Sequence, residues 1–269
     1  MARGDVNSWR HGRMRDMVLP LLESFPGASW LTVGDGRYGM DAHFLEQHGA
    51  EVVASDISER LLIQAQSAGL IQRFSKQNAE NLSFEDGSFD LVFCKESYHH
   101  FPRPLLALHE MLRVARMGVA LIEPQDFQIP RGGGATLFRL LKDGVKRLLG
   151  RPAEGHDFEE IGNFIYKISF REVEKVALGC GYPMVAFKGI NDFYCRGLEK
   201  VPLDKNAKEF RLVRRKIAWF DFLCRLGINQ HGLLCAVLFK HRPSDDCVTR
   251  MKAADFRVVE LPANPWLKA

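Results

Sequence analysis

Residues 29–56 have the sequence SWLTVGDGRYGMDAHFLEQHGAEVVASD, and this stretch decides the fold. A short apolar run ends at Val33, and residues 34–39, GDGRYG, then match the pattern G-x-G-x-x-G. Glycines at such a turn let the main chain bend sharply and leave room where side chains would block a ligand. A helical pattern and a second apolar run follow, and that run ends at Asp56, 20 residues after Gly36. The order of strand, glycine turn, helix, strand and acid predicts a nucleoside-binding unit in which Asp56 accepts hydrogen bonds from ribose hydroxyls.

The rest of the chain indicates a sheet with helices on both faces. Four short apolar runs, at 30–33, 51–55, 89–94 and 118–123, alternate with helical patterns, which favours a mainly parallel sheet. Beyond residue 124 the spacing predicts helices over 169–181 and 206–226, the second of them basic, and strands over 184–187 and 233–239. Ser169 and Glu172 are spaced as a capping box for the first of these helices.

Four segments follow from this pattern. Residues 1–28 form an N-terminal helical segment, with one helix predicted over 9–25, and residues 29–124 form the nucleoside-binding core. Residues 125–241 complete the fold and carry lid and acceptor insertions, and residues 242–269 form a C-terminal tail packed on the surface. The glycines at 132–134 precede a basic amphipathic pattern and are either a flexible linker or the hinge of a lid.

The composition is that of an ordinary globular protein. The 269 residues are 46% hydrophobic and 26% charged, with a formal net charge of +4. Six cysteines without a C-x-x-C pair predict reduced thiols rather than disulfides or a metal site. Because no apolar run has the length of a signal peptide or a membrane span, we expect a cytoplasmic protein.

A second stretch, residues 78–92 with the sequence NAENLSFEDGSFDLV, resembles the class I S-adenosylmethionine-dependent methyltransferases. It follows the pattern D-A-E-x-L-P-F-x-D-x-S-F-D-x-V of one broad subgroup, which often also has L-H-H where this chain has the pair His99-His100. Residues 110–114, EMLRV, resemble the E-x-x-R-V-L helix end of that subgroup. The resemblance spans about residues 29–123. It implies a Rossmann-like, doubly wound, mainly parallel seven-stranded α/β sheet and S-adenosyl-L-methionine as the cofactor.

The resemblance also implies roles for individual residues. The loop 34–39 would wrap the methionine part of the cofactor, Asp56 would bind the ribose, and Ile57 would pack beside the adenine. An acid at a strand end can also cap the following helix, so that alternative stays open for Asp56. The implied cofactor-binding residues are Gly34, Asp35, Gly36, Gly39, Asp56, Ile57, Asn78, Ala79 and Lys95.

Two of the departures from the family pattern lie at and beside the glycine loop. The family usually has an acid two residues before the first glycine, where this chain has Thr32, and a Cys or Ser between the first two glycines, where it has Asp35. Asp35 is therefore a candidate for binding the ammonium group of the cofactor in place of the missing acid.

Methyl transfer to a hydroxyl requires an in-line approach and removal of the hydroxyl proton. His99 and His100 are the candidate bases because imidazole titrates near neutral pH, although either ring could instead pack or hydrogen-bond the loop. Glu96, Tyr98 and Glu123 are the alternatives, and an amine acceptor would need no strong base.

Three functions are compatible with these motifs. The leading hypothesis is a methyltransferase acting on a small molecule, with a sugar or sugar-lipid hydroxyl as the suggested acceptor. The literal G-x-G-x-x-G pattern also suggests an NAD(P)-dependent oxidoreductase, which would leave residues 78–92 unexplained. The departures at Thr32 and Asp35 suggest a non-catalytic binding protein on the same scaffold.

Two expectations concern partners. The basic helices contact anionic lipid or a phosphate-bearing substrate, or else their apolar stripes lie in the core and their cations in solvent. We find no RNA-binding module and no aromatic–basic cluster of the kind that stacks bases, so a nucleic acid is not an expected partner.

Overall fold

The computed structural model describes residues 4–126, 140, 141, 144, 145, 148, 158, 164–263, 265 and 266. The helices are α1 (Val6–Arg15), α2 (Leu19–Ser24), α3 (Met40–Gln47), α4 (Arg60–Ser67), α5 (Pro104–Val114), α6 (Phe170–Gly179), α7 (Lys208–Arg225) and α8 (Asp245–Ala253). The strands are β1 (Ser29–Val33), β2 (Glu51–Asp56), β3 (Phe74–Lys76), β4 (Phe89–Lys95), β5 (Ala115–Pro124), β6 (Met184–Ile190), β7 (Leu233–Phe239) and β8 (Arg257–Glu260). Short 3₁₀ turns occur at Asp16–Val18, Tyr98–His100 and Leu198–Lys200.

The strands form one sheet in the order β3-β2-β1-β4-β5-β7-β6-β8. Strands β1 to β5 pair in parallel, whereas β7 runs antiparallel to both β5 and β6. The common dinucleotide-binding sheet has the order 3-2-1-4-5-6, without such an antiparallel insertion. The doubly wound α/β class is therefore confirmed, with one strand more than the expected seven among the described residues.

The additional strand corrects the expectation for the C-terminal segment. Residues 242–269 were expected to be a surface tail, but they contain α8 and the edge strand β8, which pairs antiparallel with β6. Cys247 and Met251 of α8 and Phe256 are buried in the core. The prolines that suggested a tail flank these elements, since Pro243 precedes α8 and Pro262 follows β8.

Two apolar layers cover the sheet because successive strand residues face opposite sides. Trp30 and Leu91 belong to the layer that contains α2, α3, α4 and α8, whereas Leu31 and Val92 belong to the layer that contains α5 and α6. Each of these four side chains is fully buried. The central strands are thus buried on both faces, which is why they are continuous apolar runs in the sequence.

The helices differ from the sequence expectations in a few places. The single helix expected over 9–25 is broken into α1 and α2 by the 3₁₀ turn, and Pro20 occupies the first turn of α2, where its missing N–H costs no helical bond. The predicted cap of α6 is present, since Ser169 accepts a hydrogen bond from Glu172 N. The glycines at 132–134 lie outside the described residues, so the linker and hinge interpretations both stand.

Candidate active site

Two cavities lie side by side at the carboxyl ends of the central strands, where ligands bind in open α/β sheets. The α1 cavity, of about 310 Å³, is bounded by α1, by the loop after β1 and by the loop after β4. The β2 cavity, of about 290 Å³, is bounded by the end of β2, the loop after β3 and the turn after β4. Gly34 and Ser97 line both cavities and form their common wall.

The β2 cavity brings together the residues expected to bind a nucleoside. Asp56, Ile57, Asn78 and Ala79 all line it. Ile57 is 68% exposed, so it offers an apolar surface to a ring without disturbing the core. Asn78 Oδ1 accepts a hydrogen bond from Glu80 N at 3.0 Å, which fixes the turn that carries it.

Asp56 connects the two loops at the mouth of this cavity. Its Oδ2 accepts a hydrogen bond from Gly36 N at 3.0 Å, and its Oδ1 accepts one from Ser58 N at 2.8 Å. A Cβ atom at Gly36 would lie 2.6 Å from Asp56 Cγ, so only glycine allows this approach. Asp56 therefore orders the glycine loop and the turn before α4 in addition to lining the cavity.

Gly34 is required for a different reason. Its φ is +77°, and a Cβ atom there would lie 2.4 Å from Ser97 Cβ. Ser97 Oγ in turn donates a hydrogen bond to Gly34 O at 2.7 Å, which joins the loops after β1 and β4. Neither Gly36 nor Gly39 lines the α1 cavity or the β2 cavity, and Gly39 instead packs against Ile71.

Asp35 is a buried helix cap. Its carboxylate accepts hydrogen bonds from Asp41 N at 3.2 Å and Ala42 N at 2.8 Å, in the first turn of α3, where the N-cap residue Gly39 has no side chain to offer. Thr32 Oγ1 donates to the same carboxylate at 2.9 Å, so the two departures from the family pattern contact each other. Asp35 also lines the α1 cavity, but its carboxylate is buried and already accepts these three hydrogen bonds, which disfavours it as the group that binds an ammonium.

The free energy of unfolding is expected to rise as the pH is lowered from about 7 to about 5. The reason is that burial, and to a lesser extent the neighbouring Asp41 carboxylate, raises the pKa of Asp35 to about 7. Between those values folded Asp35 holds a proton that the unfolded chain releases, so a higher pH disfavours folding. Urea unfolding should show a gain of up to about 3 kcal/mol in the free energy of unfolding across this window. Asp35→Asn should remove most of this pH dependence, whereas the exposed control Glu59→Gln should keep it. The same pH dependence of the free energy of unfolding in the parent and both variants would contradict the raised pKa of Asp35.

The α1 cavity contains a cluster of five charged or titratable side chains. Lys95 Nζ lies 3.8 Å from Asp41 Oδ1 and 3.2 Å from Glu96 Oε2, and His11 Nδ1 lies 3.0 Å from that same Glu96 oxygen. Arg15 Nε donates to Asp41 Oδ1 at 2.6 Å. Three basic groups thus alternate with two acids around one cavity, an arrangement that suits a ligand carrying both an ammonium and a carboxylate.

The same cluster determines the properties of Glu96. Burial alone would raise the pKa of its carboxyl, but His11 and Lys95 together hold that pKa well below its usual range. Glu96 also has a φ of +50°, a left-handed conformation that is uncommon for non-glycine residues and that clusters at active sites. A carboxylate held in its charged form is a weak proton acceptor, which disfavours Glu96 as the catalytic base relative to a histidine.

His99 and Glu123 form a hydrogen-bonded pair beside the common wall. His99 Nδ1 lies 2.5 Å from Glu123 Oε2, and the Glu123 side chain is fully buried. The other oxygen, Oε1, accepts hydrogen bonds from Ser97 N at 3.0 Å and Tyr98 N at 2.9 Å. A carboxylate at Nδ1 makes Nε2 the acceptor nitrogen of a neutral imidazole. Glu123 therefore orients both the turn after β4 and the ring on it.

The two histidines have different positions. His100 is exposed and lines the β2 cavity, next to the residues expected to bind a nucleoside. Its ring centroid lies 4.0 Å from that of His99, whose ring is paired with Glu123. Tyr98, another candidate base, is buried, and this burial raises the pKa of its hydroxyl. The carboxylate of Glu123 would stabilise the protonated form of His99.

Sequence reasoning missed the contribution of α1 to this site. His11 and Arg15 line the α1 cavity, and Asp41, in the first turn of α3, links Arg15 to Lys95. The helical pattern of the N-terminal segment predicted α1 approximately but gave no reason to bring it to the edge of the sheet. That position depends on contacts with residues near 200, which no local pattern specifies.

The chain is similar in sequence to known methyltransferases. Residues 31–122 match the family model described as "Methyltransferase domain". The chain is 31% identical over 113 residues to 2-methyl-6-phytyl-1,4-hydroquinone methyltransferase from Synechocystis, which is 39% of this chain and 36% of that protein. It is 30% identical over 133 residues to a ubiquinone biosynthesis O-methyltransferase from Xanthomonas campestris, which is 45% of this chain and 55% of that protein.

Solved structures extend the similarity of fold beyond this stretch. The YcgJ protein from Bacillus subtilis superposes with a TM-score of 0.50 at 20% identity, covering 86% of this chain and all of that one. A protein from Bacillus halodurans does so with a TM-score of 0.50 at 17% identity, covering 84% and 99%. At these identities the likeness concerns the fold alone.

The chain therefore contains a methyltransferase domain of the class I, S-adenosylmethionine-dependent type. The resemblance found in the sequence and the cofactor that it implies are confirmed at the level of this domain. The NAD(P)-dependent oxidoreductase is not favoured, since the antiparallel strand β7 and the matched family both differ from it. The chain spans between about a third and a little over half of the curated relatives named above.

Proposed function

We propose that this protein transfers a methyl group from S-adenosylmethionine to the hydroxyl-bearing ring of a small molecule. The observation that supports it most is the pair of cavities that share Gly34 and Ser97 within a methyltransferase domain. One cavity has a carboxylate and an exposed apolar side chain, and the other has alternating acids and bases. This division corresponds to the nucleoside and the amino-acid ends of the cofactor.

The residues of the β2 cavity suit the nucleoside end. Asp56 would accept hydrogen bonds from the ribose hydroxyls, and Ile57 would pack against the adenine. Asn78 can offer its amide to the adenine edge, and Ala79 can offer its backbone N–H. The glycine at 36 keeps the space beside Asp56 clear of a side chain.

The residues of the α1 cavity suit the amino-acid end. Lys95 and Arg15 would offset the carboxylate of the cofactor, while Glu96 and Asp41 would receive its ammonium group. Burial opposes the charge on Lys95, but Asp41 and Glu96 outweigh it and raise the pKa of the Lys95 ammonium. S-adenosylmethionine itself supplies the electrophilic methyl group.

His99 is the residue that we assign to proton removal. Its Nε2 would accept the proton of the acceptor hydroxyl, and the buried Glu123 carboxylate would stabilise the resulting imidazolium. Glu123 also holds Ser97, which lines both cavities, so the base and the common wall are positioned together. An acceptor that has lost its proton can be methylated on oxygen or on an adjacent ring carbon.

The names of the relatives favour a quinone-type ring as the acceptor. They describe enzymes for 2-methyl-6-phytyl-1,4-hydroquinone, for demethylmenaquinone and for ubiquinone biosynthesis. None of these three names describes a sugar, so the sugar or sugar-lipid hydroxyl suggested by the sequence has no support from them. A hydroquinone also has the acidic hydroxyl that a histidine base can deprotonate near neutral pH.

Calorimetry and a transfer assay test this proposal together. We expect S-adenosylmethionine and S-adenosylhomocysteine to bind with dissociation constants between about 1 μM and 1 mM, and NADH not to bind. Labelled methyl groups should then be transferred to hydroquinones but not to sugars of similar size. Binding without transfer to any acceptor would favour the non-catalytic binding protein, and the absence of cofactor binding would refute the proposal.

A further inference from the structure

Helix α7 has two apolar stripes, one of which is buried against other described residues while the other is exposed. Phe210, Val213 and Ile217 are buried in a small apolar cluster with Val6 and Leu198. On the opposite side of the helix, a second stripe at spacings of seven, three and four residues is exposed. It consists of Leu212, Trp219, Phe222 and Leu226.

The exposed stripe carries aromatic rings. Trp219 is 54% exposed, and its ring stacks on that of Phe222 with centroids 5.8 Å apart. Large apolar side chains that line one face of a helix in this way are costly to leave in water. Such a face usually marks a surface that contacts another apolar phase.

Cations surround this stripe. The helix has six basic residues and two acids, and the basic side chains are all exposed. One of the acids, Asp221, accepts a hydrogen bond from Asn191 Nδ2 at 2.8 Å and so faces the fold, which leaves Glu209 in the first turn as the exposed acid of α7. The basic residues are Lys208, Arg211, Arg214, Arg215, Lys216 and Arg225.

We propose that α7 binds the surface of an anionic phospholipid bilayer, with its aromatic stripe in the interface and its cations at the lipid phosphates. An exposed apolar face flanked by Lys and Arg is the composition of helices that lie in the plane of a membrane. No helix in the described part of the chain is long and apolar enough to cross a membrane.

A second copy of the chain is a poorer occupant of this face. A symmetric contact would place the face against itself and bring Arg211, Arg215 and Lys216 of one copy close to the same residues of the other. Such like-charge pairs disfavour association unless anions intervene. Anionic headgroups supply that opposite charge, and the acyl region accepts the rings.

The proposed membrane helix is connected directly to the site. The Trp9 ring of α1 packs edge-on against Phe210 at 4.9 Å, and Val6 N donates to Val201 O at 2.9 Å. The same helix lines the α1 cavity, to which it contributes His11 and Arg15. Binding to a bilayer does not depend on the proposed function. Where both hold, these contacts bring the proposed cofactor site close to lipid-soluble acceptors.

Vesicle co-sedimentation of the full chain tests the proposal. We expect binding to vesicles with about one-third phosphatidylglycerol, weak binding to phosphatidylcholine alone, and release at high salt. Arg211→Gln/Arg215→Gln/Lys216→Gln should lower the partition coefficient on the order of 100-fold. The control Arg60→Gln/Lys175→Gln/Lys252→Gln removes three charges from exposed helical positions elsewhere and should bind like the parent.

The aromatic stripe needs its own variants. Trp219→Ala/Phe222→Ala should weaken binding about tenfold or more, whereas the exposed control pair Ile63→Ala/Leu105→Ala should not. The blue shift of tryptophan fluorescence on vesicle addition should disappear in Trp219→Phe. Equal binding of α7 variants and controls would overturn the proposal. The proposal would also be overturned if the parent protein self-associated and the α7 variants did not, or if the protein bound RNA more strongly than vesicles. Cofactor affinity measured on the same variants separates this result from the proposed function.

Discussion

Asp56→Ala is expected to raise the dissociation constant of S-adenosylhomocysteine at least 100-fold. Hydrogen bonds to a charged acceptor contribute about 1.5–3 kcal/mol each, and a ribose offers two hydroxyls to this carboxylate. Calorimetry at constant salt measures the effect. The neighbouring exposed acid provides the control, since Glu59→Ala removes the same charge without lining either cavity.

Asp56 also accepts hydrogen bonds from Gly36 N and Ser58 N, so its replacement changes the structure of both loops as well as the contact with the ligand. Ile57→Ser separates these effects, because the Ile57 side chain is exposed and the fold does not depend on it. This variant should unfold at the parent temperature and bind the cofactor about tenfold more weakly. Unchanged affinity in both Asp56→Ala and Ile57→Ser would remove the β2 cavity from consideration as the nucleoside site.

His99→Asn is expected to lower kcat by about 10²- to 10⁴-fold, the usual contribution of a positioned base. Cofactor affinity should stay within about twofold, because His99 is not among the described residues that line either cavity. Glu123→Gln should keep the bonds from Ser97 N and Tyr98 N through its oxygen while removing the charge opposite Nδ1. Its kcat should fall at least about tenfold, with an altered pH–rate profile.

His100→Asn is the matched control for this assignment. His100 lines the β2 cavity, so its replacement should change cofactor affinity more than kcat. If His100→Asn abolished turnover while His99→Asn left it intact, the roles of the two histidines would have to be exchanged. If neither variant affected kcat with a hydroxyl acceptor, proton removal would need another route.

The central strands could be predicted because burial on both faces makes them continuous apolar runs. Strand β3 has only the residues FSK at the sheet edge, and β8 lies between prolines, so neither produces such a run. The break between α1 and α2 is a short 3₁₀ turn, and the spacing of apolar residues does not distinguish such a turn from a continuous helix. The doubly wound, Rossmann-like arrangement followed from the family resemblance more than from any property of the runs themselves.

The residues of the candidate site also differ in whether the sequence could predict their positions. Gly34, Asp56 and Ile57 follow from a local motif, because one turn and two strand ends bring them together. The pairing of His99 with Glu123 joins residues 24 apart, and it follows only from the parallel pairing of β4 with β5. The burial of Asp35 could not be read from the sequence, since the same motif would also allow an exposed acid.

The wall that α1 gives to the α1 cavity has a consequence for dividing the protein into parts. Helix α1 is held by Asp192, which accepts a hydrogen bond from Arg10 Nε at 2.8 Å, and by Phe210, whose ring packs against that of Trp9. All of these residues lie outside the stretch 31–122 that matches the methyltransferase domain. A fragment cut to that stretch would therefore keep the glycine loop but lose the wall formed by α1.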